Sequence, residues 1–204
     1  VVIHVVRPGR SAAVVSEVLG GHRPALWVSD LYGAQQGHAD GWQICLAHQL
    51  RDCQYAIDAG DAVFAPRMKA LLLRAVVLAR RHRGLAASTR GQYRRRLEHA
   101  LDAVMTLVPT ARDGRRLRKR YAKVQDHLFT FLDHPELAAD NNSSERELRP
   151  TATYRKVTGG FRSGWAADLF AAVRSVIGTA KRRGIDAYAA IAATLRGQSV
   201  IEPG

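Results

Sequence analysis

Residues Asp140 to Ser163 read DNNSSERELRPTATYRKVTGGFRS. This stretch follows a long basic helical region and precedes a strongly apolar helix. It puts two adjacent amides, Glu145 and a run of Arg and Lys into a short polar segment. A hydrophobic core has no use for such a string. The residue types suit two ligands, a metal ion and a nucleic-acid backbone. Asp140, Asn141 or Asn142 caps a helix beginning at Ser143. With Asn142 as the cap, Glu145 is the third helical residue, close to a capping box. Glu147 then points away from the face that carries Glu145, and Arg149, four residues on, is placed to pair with it. Pro150 is expected to end the helix. Tyr154, Arg155 and Lys156 lead into Gly159–Gly160–Phe161–Arg162–Ser163, where glycines let the backbone approach a phosphate and the cations neutralise it. No Gly-Lys-Ser/Thr loop follows a glycine-rich turn, so the segment is not read as a nucleotide-binding loop.

The rest of the chain narrows the class. Its 204 residues allow one large domain or a domain with an insertion, and 47% are apolar, enough for a core. Thirty-one Lys and Arg against 18 acids give a net charge of +13, which predicts salt-sensitive attraction to polyanions. Two cysteines, Cys45 and Cys53, are too few for a disulfide framework and suggest a reducing compartment. No apolar run reaches bilayer length, and the N-terminus lacks the order of a signal peptide. The first residue is not Met and Val1–Val6 already reads as a strand, so the chain is expected to start inside a domain.

VVIHVV is β-branched and predicts a strand, ended by Pro8 and Gly9. Ser11 caps a helix through Leu19, closed by Gly20 and Gly21. Ala25–Val28 predicts a second strand, and Trp42–Leu46 a third, before a helix from Ala47. Strand–helix–strand order suggests an α/β sheet. Asp30, at a strand's carboxyl end, stands where such sheets place ligands, and equally where a turn or a helix cap uses an Asp. Cys45 and His48 form a C-x-x-H pair that is incomplete as a zinc site and is read as a buried thiol with a hydrogen-bonded imidazole.

From Asp61 to His134 three amphipathic helices are expected. Their apolar faces are Met68, Leu71, Leu72, Ala75, Val76, Ala79; then Tyr93, Leu97, Leu101, Val104, Val108; then Leu117, Tyr121, Val124, Leu128, Phe131, Leu132. Arg94, Arg95 and Arg96 mark one outer face. Arg112, Arg115, Arg116, Arg118, Lys119, Arg120 and Lys123 mark a denser one that is read as contacting phosphate. Trp165–Arg183 is the last long helix, with Leu169, Phe170, Val173, Val176 and Ile177 on its apolar side. Asp186 starts a short one through Leu195, and Gln198–Gly204 is expected to fray.

In order, WVSDLYG (Trp27–Gly33), CLAH (Cys45–His48) followed by Arg51, NNSSERELRP (Asn141–Pro150), Arg155–Lys156, Gly159–Ser163 and SVIGTAKRRG (Ser175–Gly184) resemble the motifs of the DDE-type transposases of the bacterial insertion-sequence family numbered sixty-six. The resemblance covers nearly the whole chain. It implies an α/β, partial ribonuclease H-like fold with an all-α insertion, helix-rich overall. The incomplete sheet region then spans 1–60, the basic insertion 61–137, and the catalytic-Glu helix with closing helices 138–204. By resemblance Asp30 is the second and Glu145 the third catalytic, metal-binding acid. The first acid is expected upstream of the strand that Val1–Val6 resembles. Asn142, Cys45 and His48 are implied as supports of the site, and Arg146, Arg149, Arg155, Lys156, Arg162, Arg116, Lys119 and Arg120 as DNA contacts.

The implied activity is strand cleavage and transfer of a mobile DNA element with two Mg²⁺ or Mn²⁺ ions, which want hard carboxylate oxygens. Implied partners are the element's DNA ends and target, further copies of the chain in a DNA complex, and accessory proteins of the same element, in the bacterial cytoplasm at the nucleoid and with no membrane. The alternative is a catalytically inactive DNA-binding remnant.

Overall fold

A computed structural model describes residues 1–200 of the chain. Within them the order is α1 (Ala12–Leu19), β1 (Leu26–Ser29), β2 (Gly41–Ile44), α2 (Leu46–Asp58), α3 (Phe64–Ala79), α4 (Ala87–Met105), α5 (Arg112–Val124), α6 (Asn142–Thr158), α7 (Gly164–Arg182) and α8 (Ala187–Leu195). The chain is therefore helix-rich with one small sheet, and none of the described helices is long and apolar enough to cross a membrane. It divides into two compact units, residues 21–143 and residues 1–20 with 144–200.

In the 21–143 unit, β1 and β2 pair in parallel, Leu26 opposite Gly41 through Ser29 opposite Ile44. A Cβ on Gly41 would lie 2.8 Å from Leu26 Cδ2 and 3.3 Å from Ala25 O, so a larger residue there would displace the Leu26 side chain. The far edge of β2 meets no further strand among the described residues. It is closed by the chain between α5 and α6: Gln43 is fully buried, its Nε2 donates to Leu128 O (3.0 Å), and its Oε1 accepts from Phe131 N–H (2.9 Å). Thr130 Oγ1 donates to Trp42 O (2.7 Å). The sheet and the insertion helices thus share one core, running from Leu46 and Phe64 through Met68, Leu72, Leu97 and Tyr121 to Phe131.

The three apolar stripes expected for the insertion form this core with two exceptions. Val108 lies beyond the end of α4 and is 73% exposed. The third stripe leaves the helix at Val124, and Leu128, Phe131 and Leu132 are buried from short 3-10 turns.

In the other unit, the expected N-terminal strand is corrected. Val1–Val6 carries no strand assignment. Its β-branched residues keep it extended, but its backbone partners are side chains of α7. Thr179 Oγ1 accepts from Val2 N–H (2.9 Å) and donates to Val2 O (3.2 Å), and Ser175 Oγ accepts from His4 N–H (2.8 Å). One buried hydroxyl therefore satisfies both backbone groups of Val2. Replacing Thr179 by the isosteric Val should cost this unit about 2 kcal/mol and expose the Val2 amide, read as faster hydrogen exchange at Val2.

The apolar side expected of α7 is also corrected. Leu169 is 56% exposed, and the buried positions are the small residues Ala167, Ala171, Gly178, Thr179 and Ala180. Small side chains let the N-terminal segment and α6 approach closely. A Cβ on Gly178 would sit 3.0 Å from Val2 Cγ1 and 3.2 Å from Glu147 Oε2.

Pro150 does not end the helix as expected. α6 runs through it to Thr158. A proline in mid-helix costs about 3 kcal/mol. Both halves of α6 are anchored on α7, by Glu147 to Arg174 (3.9 Å) and Arg182 (3.7 Å), and by Tyr154 against Phe170 (4.9 Å), and this anchoring opposes a break. α8 begins as read from the sequence, with Asp186 accepting from Ala189 N–H at 3.0 Å. The end of α8 is closed by Gln198 N–H, which donates to Ala193 O (3.0 Å), at the start of the stretch expected to fray. Residues 201–204 lie outside the described residues.

Candidate functional site

Asp30 follows the last residue of β1, and Cys45 follows the last residue of β2. Because the strands are parallel, both residues emerge from the same carboxyl edge, where open sheets leave room for ligands. Asp30 is pinned from two sides. Its Oδ1 accepts from Tyr32 N–H (3.0 Å), a turn closed by the side chain itself. Its carbonyl accepts from Ser29 Oγ (3.0 Å), which in turn accepts from the Trp42 indole (2.9 Å). The turn role and the ligand position therefore coincide at one residue. A carboxylate offers about four acceptor sites, so the turn bond leaves capacity for a cation.

Cys45 is buried at the start of α2, and His48 lies in that helix's first turn. Burial, offset only partly by N–H donors from Asn141, His48 and Ala47, pushes the Cys45 thiol above its usual range. Burial thus favours the neutral thiol of Cys45 over its thiolate. Its sulfur accepts from Asn141 N–H (3.4 Å), and Leu46 N–H donates to Ala139 O (2.9 Å). The C-x-x-H helix start thus holds residues 139–141 just ahead of α6. Asp140 Oδ1 accepts from Asn142 N–H (3.1 Å), so the polar string read from the sequence is used to shape the entry to α6. Burial also raises the Cys53 thiol, to about 11, beside the Tyr121 hydroxyl.

Along α6, Asn142, Glu145, Arg149 and Lys156 recur at spacings of 3, 4 and 7 and share one stripe. Glu147 and Tyr154, seven apart, share the stripe that packs on α7. The two stripes lie on opposite sides of the helix, and Arg155 falls between them. Arg146, Arg149, Arg155, Lys156 and Arg162 are all exposed, while Glu145 is half-buried in the first turn. After Thr158 the chain turns through Gly159 (φ 75°) and Gly160 (φ 114°), backbone angles that L side chains rarely adopt. The turn is closed by a three-ring cluster, with Tyr154, Phe161 and Phe170 centroids 4.9–5.2 Å apart. Arg162 is therefore presented next to a rigid turn.

The basic face expected on α5 is only partly available. Arg120 pairs with Asp52 (2.8 Å), Arg118 Nε donates to Met105 O (3.0 Å), and Arg116 lies 3.6 Å from Asp113. Lys119 is exposed. Arg116 and Arg120 line a hollow of about 390 Å³ that Asp52 and Asp113 also line, so its charge is mixed. Asp30, Cys45, His48, Arg116, Lys119, Arg120 and Asn142 belong to the 21–143 unit. Glu145, Arg146, Arg149, Arg155, Lys156 and Arg162 belong to the other.

Together these features describe a basic, helix-rich α/β chain with a carboxylate at a parallel sheet edge and a second one opening an arginine-bearing helix. The model of the transposase IS66 family matches residues 1–169 of the 204, and the chain belongs to that family. No curated protein and no solved structure matched it.

Proposed function

We propose that this chain performs metal-dependent DNA strand cleavage and strand transfer as part of a transposase, on a ribonuclease H-like scaffold organised as a small sheet region (1–60), a basic insertion (61–137) and closing helices (138–204). The observation that carries the reading is Asp30, a carboxylate fixed at the carboxyl edge of a parallel strand pair in a chain of this family. Asp30 and Glu145 are hard oxygen donors, the chemistry that Mg²⁺ or Mn²⁺ selects, and they are the residues that would hold such ions. Bound there, divalent ions would supply activation of water and stabilisation of the departing 3′ oxygen. Asn142, one turn before Glu145, orients it. Cys45, through Asn141, sets the entry to α6, and His48 supports the same helix start. Arg146, Arg149, Arg155, Lys156 and Arg162 contact phosphates of the element's ends and of target DNA. Lys119, with Arg116 and Arg120, adds contacts from the insertion. Transposition joins two DNA ends, so further copies of the chain and accessory proteins of the same element take part in the complex, at the nucleoid.

A second reading, DNA binding without catalysis, draws support from the same Asp30, since its bond to Tyr32 N–H gives the side chain a purely structural task. Supercoiled plasmid separates the two. The first reading predicts nicking in Mg²⁺ or Mn²⁺ that stops in EDTA. Plasmid bound but never nicked in either metal would leave only the second.

A further inference from the structure

The insertion carries a second cationic surface that the polar string does not foreshadow. Arg74 on α3 and Arg95, Arg96 and His99 on α4 line a groove of about 570 Å³. A smaller hollow of about 170 Å³ shares Arg74 and Arg96 and adds Arg81 and Tyr93. Among the described residues no carboxylate lines either one, and α3 contains no acidic residue at all. The acids nearby are placed elsewhere. Glu98 (2.7 Å) and Asp133 both pair with Arg94, and Asp102 lies one turn beyond His99, outside the lining.

Four guanidiniums along the groove and the adjoining hollow repel each other, and on an ordinary solvated helix face they would spread out. Here two are held. Arg81 and Arg96 each place their guanidinium carbon 5.8 Å from the Tyr93 ring centroid, on a half-buried residue. Such cation–π contacts fix the cations without neutralising them. Two held guanidiniums beside Arg74 and Arg95, with no carboxylate in the lining, are complementary to phosphate oxygens, which guanidinium groups bind in pairs.

We propose that the α3–α4 groove binds a DNA phosphate backbone, at a site made wholly of insertion residues and additional to the contacts from α6. This rests on the DNA reading above. The groove holds DNA through its backbone and without preference for sequence, since it offers charge and no array of base-reading amides beyond Gln92.

The test is fluorescence anisotropy of a mixed-sequence 30-bp duplex, titrated with the full chain across a salt series. The groove variant is Arg74→Gln/Arg95→Gln/Arg96→Gln. All three residues are exposed, and Gln keeps part of their aliphatic stems. The charge-matched control is Arg23→Gln/Arg83→Gln/Arg196→Gln, three exposed cations outside the groove and outside every proposed DNA contact. The groove variant should bind about tenfold or more weaker near 0.1 M salt. Its log–log salt slope should fall by about 2–3, one unit for each lost phosphate contact. The control should lose less than about threefold. Equal losses in the two variants would overturn the groove, as would a groove effect seen only with single-stranded RNA. No binding by the wild type would overturn the DNA reading itself, a result distinct from a wild type that binds and a groove variant that binds equally well.

Discussion

Replacing Asp61 with Ala should lower the stability of the 21–143 unit by about 3 kcal/mol, seen as a fall of about 1.5 M in the urea midpoint followed at 222 nm. Asp61 is fully buried just ahead of α3. Its Oδ2 accepts from Ala65 N–H in the first turn of that helix (2.8 Å). Its Oδ1 accepts from the Thr110 N–H (2.9 Å) and hydroxyl (3.1 Å), ahead of α5. One carboxylate thus joins two helix starts, where negative charge is favoured, and removing it strands buried donors. Burial alone would raise its pKa. The Thr110 and Ala65 N–H groups outweigh that and hold it below the usual carboxylate value. The folded value is therefore depressed. The contribution is complete above the unfolded pKa, near 4, and drains away as pH falls through the folded value. Asp61→Asn should accordingly differ from the wild type at pH 7 and converge on it in strong acid.

Gly114→Ala tests the same joint from α5. In an exposed helix this change would stabilise by roughly 1 kcal/mol. Here the new Cβ would stand 2.2 Å from Asp61 Oδ2 and 2.4 Å from its Cγ, on a carboxylate tied down by three bonds. Overlap wins, and the variant should lose about 2 kcal/mol.

Asp30→Asn and Glu145→Gln should each reduce metal-dependent plasmid nicking by about 100-fold or more while changing duplex affinity less than about threefold. Both substitutions keep shape. In Asp30→Asn the amide oxygen that replaces the carboxylate can still accept from Tyr32 N–H, so the turn survives and only the charge is lost. In Glu145→Gln the side-chain length is kept, with a good helix former in the first turn of α6. A hard divalent ion loses an anionic ligand in either case, and catalysis through it falls far more than packing does. The DNA contacts proposed for Arg146, Arg149, Arg155, Lys156 and Arg162 come from other side chains, all exposed. Nicking lost together with DNA binding and helix content would point to misfolding and leave the two carboxylates without their role.

What the sequence revealed is what local rules govern. The Asp186 cap, the helix start after Ser11 (which holds the cap position without a side-chain bond) and the 3.6-residue stripes of the insertion are set by nearest neighbours. So is the strand expected over Ala25–Val28 and found over Leu26–Ser29. The motif order from Trp27 to Gly184 also led to the family, whose model matches residues 1–169. Features fixed by distant partners were not legible. Val1–Val6 has the composition of a strand, yet its partners are hydroxyls 171 and 177 residues away. Pro150 ends helices in isolation, but Glu147 and Tyr154 anchor both flanks on α7. Gln43 and Asp61 look like ordinary polar residues, and only their buried long-range bonds mark them. The basic face of α5 was legible as a run of charge, but not that Arg120 is paired with Asp52 across to α2. The α3–α4 groove left one faint trace, the spacing of seven between Arg67, Arg74 and Arg81.

The central claim is that Asp30 and Glu145 each serve as a ligand for divalent metal, and Mn²⁺ binding followed by electron paramagnetic resonance tests it without needing a DNA substrate. The account predicts that the wild-type chain removes the free Mn²⁺ signal saturably and that Mg²⁺ competes. Asp30→Asn and Glu145→Gln should each weaken that binding by about tenfold or more. Wild-type affinity in both variants would contradict the account.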